Sequence, residues 1–280
     1  MPHLAVASLL WAASFGLISA NLGGVSSVLI ATLRLGASAL LFLPLLRLSQ
    51  VPRGFTLRLV LLGVVQYGVM YVLYIESYRH LAGHEVALLT ALTPLHVLLI
   101  DGALRGRIEA RGWLGVALAV GGAFVIAARP WAEGGLRGVL LVQGANLCFA
   151  LGQVLYARWA GDRELDHRAV FALPYLGATL FVATLALYQG HLTSVPDLSA
   201  TQWWTLAYLG LAASGIGFFL WNVGASRVRA GTLAVFNNVK VPLAVIVSLT
   251  IFHEDANVAR LATGSLLIGA GLGLTLRRSR

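Results

Sequence analysis

Residues 112–128 read GWLGVALAVGGAFVIAA, an uncharged run in which apolar residues do not alternate with polar ones. A helix needs about 20 mostly apolar residues to cross a bilayer, whereas a membrane β-barrel is built from short segments of alternating polarity. The run therefore reads as a helix in lipid. Nine further stretches of the same kind lie at 4–20, 26–46, 57–78, 84–103, 136–157, 169–189, 203–225, 231–252 and 258–276. The expected fold is an all-α membrane protein with ten transmembrane helices. The longest connections are 158–168 and 190–202, the latter carrying Pro196, so nothing is left over for a soluble domain. Only Pro2 and His3 precede the first stretch, without the basic n-region of a cleaved signal peptide.

Composition agrees. Of 280 residues, 58% are hydrophobic and 11% charged, against roughly 25% charged in ordinary soluble domains. That excludes a cytosolic globular enzyme, a disordered chain and a nucleic-acid-binding module. The single cysteine, Cys148, leaves no internal disulfide and no cysteine metal cluster. The net charge of +9 reflects topology. With the N-terminus inside, 14 of the 20 Lys and Arg fall in cytoplasmic connections and 4 outside, while Arg34 and Lys240 lie within spans. The positive-inside rule then puts both termini in the cytoplasm of a plasma-membrane protein.

The chain repeats itself. Ala82-Gly83, Thr93-Pro94-Leu95 and Gly115 recur in order as Ala230-Gly231, Val241-Pro242-Leu243 and Gly264. Leu62-Gly63, Gly68, Tyr71 and Tyr74 recur as Leu209-Gly210, Gly215, Phe218 and Trp221. The halves are 1–130 and 131–280. Each holds five helices, and because five is odd they sit in the membrane with opposite orientation. Inverted repeats place a binding site between the halves, near the midplane, and suit alternating access.

Together these elements resemble the drug/metabolite transporter superfamily, specifically its EamA-type ten-helix members. The resemblance rests on Leu10-Trp11-Ala12 with Phe15-Gly16, Arg34, Ala91-Leu92-Thr93-Pro94-Leu95, Trp113-Leu114-Gly115, Val241-Pro242-Leu243, Glu254 and Gly269-Ala270-Gly271. It implies a secondary carrier of small metabolites, often an exporter of amino acids or other carboxylate-bearing compounds. One departure stands out: Arg105-Gly106-Arg107 replaces the family's acidic residue after helix 4, and only Glu254 keeps it in the second half. A multidrug or amine exporter is the alternative, and a lipid-handling membrane enzyme is a more distant one.

Charges inside spans are expensive and point to function. Lys240 lies deep in helix 9 with Asn237 three residues before it, on the same face. It reads as an anchor for an anionic or zwitterionic substrate, or else as the partner of a buried carboxylate. Arg34 in helix 2 reads as a gating or structural ion pair with Glu76 or Glu85, or else as a direct substrate contact. Tyr67, Tyr71, Tyr74 and Tyr78 share one helical face over roughly 16 Å. That stripe is either a cavity wall or a packed aromatic core. Trp221 and Asn222 answer it in helix 8, Gln143, Asn146 and Gln153 fall on one side of helix 6, and Trp11 and Ser14 join from helix 1; the amides either bond neighbouring helices or form a polar cavity wall. Glu254 is a further gating candidate, and Pro94 and Pro242 are candidate hinges. The small-residue ridges Gly115/Ala119/Ala123 and Ser265/Gly269/Gly273 suggest close packing or a homodimer through helices 5 and 10.

No catalytic set is legible. His80 and His84 flank a turn at Gly83 and lack zincin order, and no phosphate loop supplies ATP coupling. The chain is expected to be no enzyme, to need no cofactor or metal, and to run on gradients.

Overall fold

The computed structural model describes residues 2–52, 54–104, 106, 110–126, 135–161, 166–228 and 230–276. Among them there is no strand. The helical segments are α1 (Pro2–Asn21), α2 (Ser27–Leu45), α3 (Phe55–Arg79), α4 (Gly83–Leu104), α5 (Ala110–Ile126), α6 (Gly135–Trp159), α7 (His167–Tyr188), α8 (Ala200–Ala225), α9 (Ala230–Thr250) and α10 (Val258–Leu276). Seven are long and apolar enough to cross a membrane. On α5, α9 and α10 the apolar runs among the described residues are shorter: Ala117–Ile126, Lys240–Thr250 and Val258–Gly271. The boundary near residue 130 and the arginines at 53, 105, 107, 129, 163, 229, 277, 278 and 280 lie outside the described residues.

Local chemistry sets the starts and breaks. The Ser26 side chain accepts from the Leu29 amide at the head of α2. Ser199 and Gln202 form a reciprocal capping box at the head of α8. α4 breaks at Ala91–Leu92, because Pro94 has no N–H to give the carbonyl of Thr90. The Thr93 hydroxyl takes up that carbonyl at 2.7 Å.

α3 and α8 share an unusual feature. Each widens into π-helical turns in its middle, at Val64–Val69 and Tyr208–Ile216. Those segments overlap where the two halves of the sequence correspond. Wide turns of this kind are rare and tend to occur at functional sites.

Packing centres on close backbone approach. α3 crosses α7 where a Cβ on Gly63 would fall on the carbonyl of Pro174 and one on Gly177 on the carbonyl of Val60. α1 packs between α8 and α9, while α4 packs on α6 and α9. Large side chains such as Leu9, Leu61, Leu140, Leu180 and Leu266 point outward and are more than half exposed, as an apolar solvent around the bundle allows.

Of the two readings of the small-residue ridges, close packing is the one seen within the protomer, with a different register on α10. α5 packs along α10 of the same chain. A Cβ on Gly122 would lie 2.6 Å from the carbonyl of Gly264, and one on Gly271 would meet the carbonyl of Gly115. Ala119 and Ala123 are buried there, while Gly269 and Gly273 face outward. The ridge on α10 is therefore Gly264/Ile268/Gly271. The α5 ridge and this α10 ridge are spent within the protomer, whereas the outward-facing Gly269 and Gly273 have nothing within 4 Å of a Cβ.

Candidate functional site

A cavity of about 80 Å³ lies among α1, α2, α3, α4, α6, α8 and α9. It is lined by Trp11, Ser14, Phe15, Arg34, Met70, Tyr71, Tyr74, Thr90, Thr93, Ala145, Asn146, Phe149, Phe218 and Lys240. The mixture is mostly apolar, with a few polar groups and two cations, as small-molecule sites usually are. Pockets for drug-sized ligands start at about 300 Å³, so the cavity is smaller than such a ligand needs.

Lys240 is 6% exposed. Its Nζ donates to Asn237 Oδ1 at 3.2 Å and stands 4.7 Å from the Trp11 ring centre. An ammonium has three N–H donors, and only one is spent on this bond. Asn237 does not line the cavity; it holds Lys240 from behind and reaches the freed Thr90 carbonyl at 3.5 Å. Among the described residues no carboxylate lies within ion-pair distance of Lys240.

Arg34 departs from expectation. It pairs with neither Glu76 nor Glu85. Its Nε and Nη2 donate to Ser214 Oγ at 3.2 and 3.1 Å, and Nη2 donates to Tyr71 Oη at 3.0 Å. The guanidinium also lies over the Tyr71 ring, 4.2 Å from its centre. The reason is position. Glu76 and Glu85 sit at the end of the bundle remote from Pro2, where Glu76 takes Ser27 Oγ and Arg79. There Glu85 takes the Ala82 amide and Arg260.

The tyrosine stripe divides. Tyr71 and Tyr74 face the cavity, while Tyr67 and Tyr78 do not line it. Tyr67 stacks on Tyr175 at 5.1 Å and accepts from Asn222 Nδ2 at 3.1 Å. Tyr78 bonds Tyr74 Oη at 2.6 Å. Both Tyr67 and Tyr71 pack on the Phe218 ring, at 5.1 and 5.9 Å, so Tyr67 lies one turn beyond the cavity on the same side of α3. Trp221 and Asn222 are likewise off the cavity. Trp221 donates to Gln153 Oε1 at 3.0 Å and backs Trp11 at 4.9 Å. Asn146 lines the cavity and ties α6 to the break in α4, donating to the Leu89 carbonyl at 3.0 Å and accepting from Thr93 at 3.1 Å. Pro94 is buried at this break, whereas Pro242 is exposed on α9.

Sequence reasoning missed Ser214, Thr90, Thr93, Phe15, Met70 and Phe149 as parts of the site. Apolar and hydroxyl residues are too common in membrane helices to stand out. The wide-turn segment that carries Ser214 could not be read from composition.

Glu254 caps α4 from the loop after α9. Its carboxylate accepts the Gly83 and His84 amides, both at 2.9 Å, and His84 Nδ1 at 2.7 Å. Partial burial opposes the charge, but hydrogen bonds from His84, Ser19 and the two amides outweigh it and hold the carboxyl down at about 2. Beside it, the Phe252 ring covers Gly16 of α1. A depressed carboxyl contributes stability above its ordinary value of 4.5, and that contribution is lost as pH falls toward about 2. Thermal unfolding in detergent is therefore expected to drop across that window in wild type. Glu254→Gln should start a few degrees lower at pH 7 and show a flatter acid slope. Equal slopes would refute the coupling.

The EamA-like transporter family model matches the chain twice, over residues 3–128 and 136–277. The chain belongs to the EamA-like transporter family. It is a multi-pass membrane transporter, and its relatives are transporters, not enzymes. It is 38% identical over 278 residues to the biotin transporter of Salmonella typhimurium, covering 97% of this chain and 91% of that one. It is also 38% identical over 275 residues to a probable biotin transporter of Pseudomonas aeruginosa, covering 97% and 96%. A solved crystal structure, 21% identical, shares the fold of this chain at a TM-score of 0.67, over 98% of this chain and 94% of that one.

Proposed function

We propose that this transporter carries biotin, or a close monocarboxylate relative of it, across the plasma membrane by alternating access. The observation that carries the reading is the buried Lys240 ammonium, which faces a cavity where no described residue supplies a carboxylate. A buried cation without a counter-ion is costly, and an anionic ligand supplies what is missing. Biotin's carboxylate would meet Lys240, and its compact ring body would lie against Trp11, Phe149, Phe218 and Tyr74. The names of the relatives point to the same compound.

Amino-acid export, which the family resemblance implied, fits less well. An α-ammonium group would enter a cavity already holding two cations, and a drug-like amine would meet the same repulsion.

In this reading ten helices form two inverted halves that rock about Pro94 and Pro242. Glu254 and Phe252 latch the outer end over α4 and α1, and both termini are cytoplasmic. Gradients drive the cycle in either direction.

Counterflow in proteoliposomes tests the assignment. Radiolabelled biotin is expected to accumulate saturably when unlabelled biotin is preloaded, and biotinol, the alcohol that lacks the carboxylate, should not support it. Exchange of amino acids or amines without exchange of biotin would overturn the reading.

A further inference from the structure

Arg34, Tyr71 and Ser214 form a closed triangle of hydrogen bonds whose donors outnumber its acceptors. A guanidinium has five N–H donors and no acceptor. Three are spent, on Ser214 through Nε and on Ser214 and Tyr71 through Nη2. Nη1 is buried and makes no hydrogen bond, on a residue that is only 2% exposed and lines the cavity.

The hydroxyls follow from counting lone pairs. Ser214 Oγ accepts twice from Arg34, which fills its two lone pairs. In the 2.8 Å contact between Ser214 Oγ and Tyr71 Oη, Ser214 is then the donor. Tyr71 Oη accepts from Ser214 and from Arg34, so its own hydrogen is unspent. Tyr71 also lines the cavity. The cluster thus leaves the two Nη1 hydrogens and the Tyr71 O–H unspent on two residues that line the cavity, and it has no lone pair left to accept with. A ligand oxygen is the group that would complete it.

We propose that Arg34 and Tyr71 are a second subsite, which takes a carbonyl-type oxygen at the end of the substrate away from its carboxylate. This rests on the reading that Lys240 holds the carboxylate. Lys240 keeps two donors for two carboxylate oxygens, whereas Arg34 Nη1 and the Tyr71 hydroxyl together offer more than enough donors for the two lone pairs of one carbonyl oxygen. In biotin that oxygen is the ureido carbonyl. The subsite would set specificity: a carboxylate on an apolar ring without a remote carbonyl leaves these buried donors unpaired, and such mismatches are discriminated strongly.

The test is competition against radiolabelled biotin counterflow, with three analogues. Dethiobiotin keeps the urea and the carboxylate, lipoate has the carboxylate but no urea, and 2-iminobiotin replaces the urea oxygen with a nitrogen donor. Dethiobiotin is expected to compete within a few-fold of biotin, and the other two about tenfold or more weakly. Tyr71→Phe keeps the ring under Arg34 and removes the free hydroxyl hydrogen. It should raise the half-saturation for biotin about tenfold, leave inhibition by lipoate unchanged, and so narrow the preference between them. If lipoate matches biotin in wild type, or if Tyr71→Phe weakens both equally, the subsite is refuted while biotin transport stands. If wild type does not exchange biotin at all, the underlying assignment fails. The analogue series on wild type decides the matter even if Tyr71→Phe does not fold.

Discussion

Lys240→Gln is expected to raise the half-saturation for biotin by roughly ten- to a hundredfold in counterflow. A hydrogen bond to a charged partner in a buried site contributes about 1.5–3 kcal/mol, and each 1.4 kcal/mol is tenfold. The fold should survive. Among the described residues Lys240 has no carboxylate partner; its contacts are Asn237 Oδ1 and the Trp11 face. Removing an unpaired buried charge relieves a desolvation cost without orphaning another charge. The melting temperature is therefore expected to stay level or rise while transport is lost. A structural lysine would give the opposite pattern, with transport and stability falling together. Lys240→Arg should rescue poorly, because a cavity of about 80 Å³ leaves little room for a guanidinium, which is larger and planar, in place of a compact ammonium.

Gly63→Leu is expected to cost about 3 kcal/mol and to remove most folded protein from the membrane. Over-packing usually costs about 1–3 kcal/mol when neighbouring side chains can move. Here the obstacle is the backbone of Pro174 in α7, so a whole helix must shift. α7 also carries Tyr175, whose hydroxyl donates to the carbonyl of Ser214 at 2.5 Å. Displacing α7 should therefore disturb the Arg34 cluster as well. Gly23→Leu is a suitable control, since nothing lies within 4 Å of a Cβ there. Fluorescence-detected size exclusion in detergent would report both, and equal monodisperse peaks would contradict the packing argument.

The helices were legible because each apolar run is long enough to commit the backbone to a helix in lipid. The family was legible because Gly and Pro recur in order across both halves. Lys240, Asn237, Tyr71, Tyr74, Asn146 and Trp11 were legible because polar groups at mid-span have few bland explanations, and the structure brings all six to the cavity or directly behind it. Three things were hidden. A small-residue ridge looks the same whether it faces its own chain or another, so the pairing of α5 with α10 could not be told from a dimer. The depth at which the cavity ends leaves no mark on the sequence, so Tyr67, packed on Tyr175 and Phe218, could not be told from the cavity-lining Tyr71. Charge complementarity favoured a carboxylate for Arg34, but the neutral Ser214 hydroxyl is the group at the right depth.

Equilibrium binding of radiolabelled biotin to the purified wild-type carrier tests the central claim most directly, with biotinol as competitor and Lys240→Gln beside it. Saturable binding that biotinol fails to displace, and that weakens by at least tenfold in the variant, is the expected result. Binding that biotinol displaces as well as biotin, or that Lys240→Gln leaves unchanged, would contradict a carboxylate anchored at Lys240.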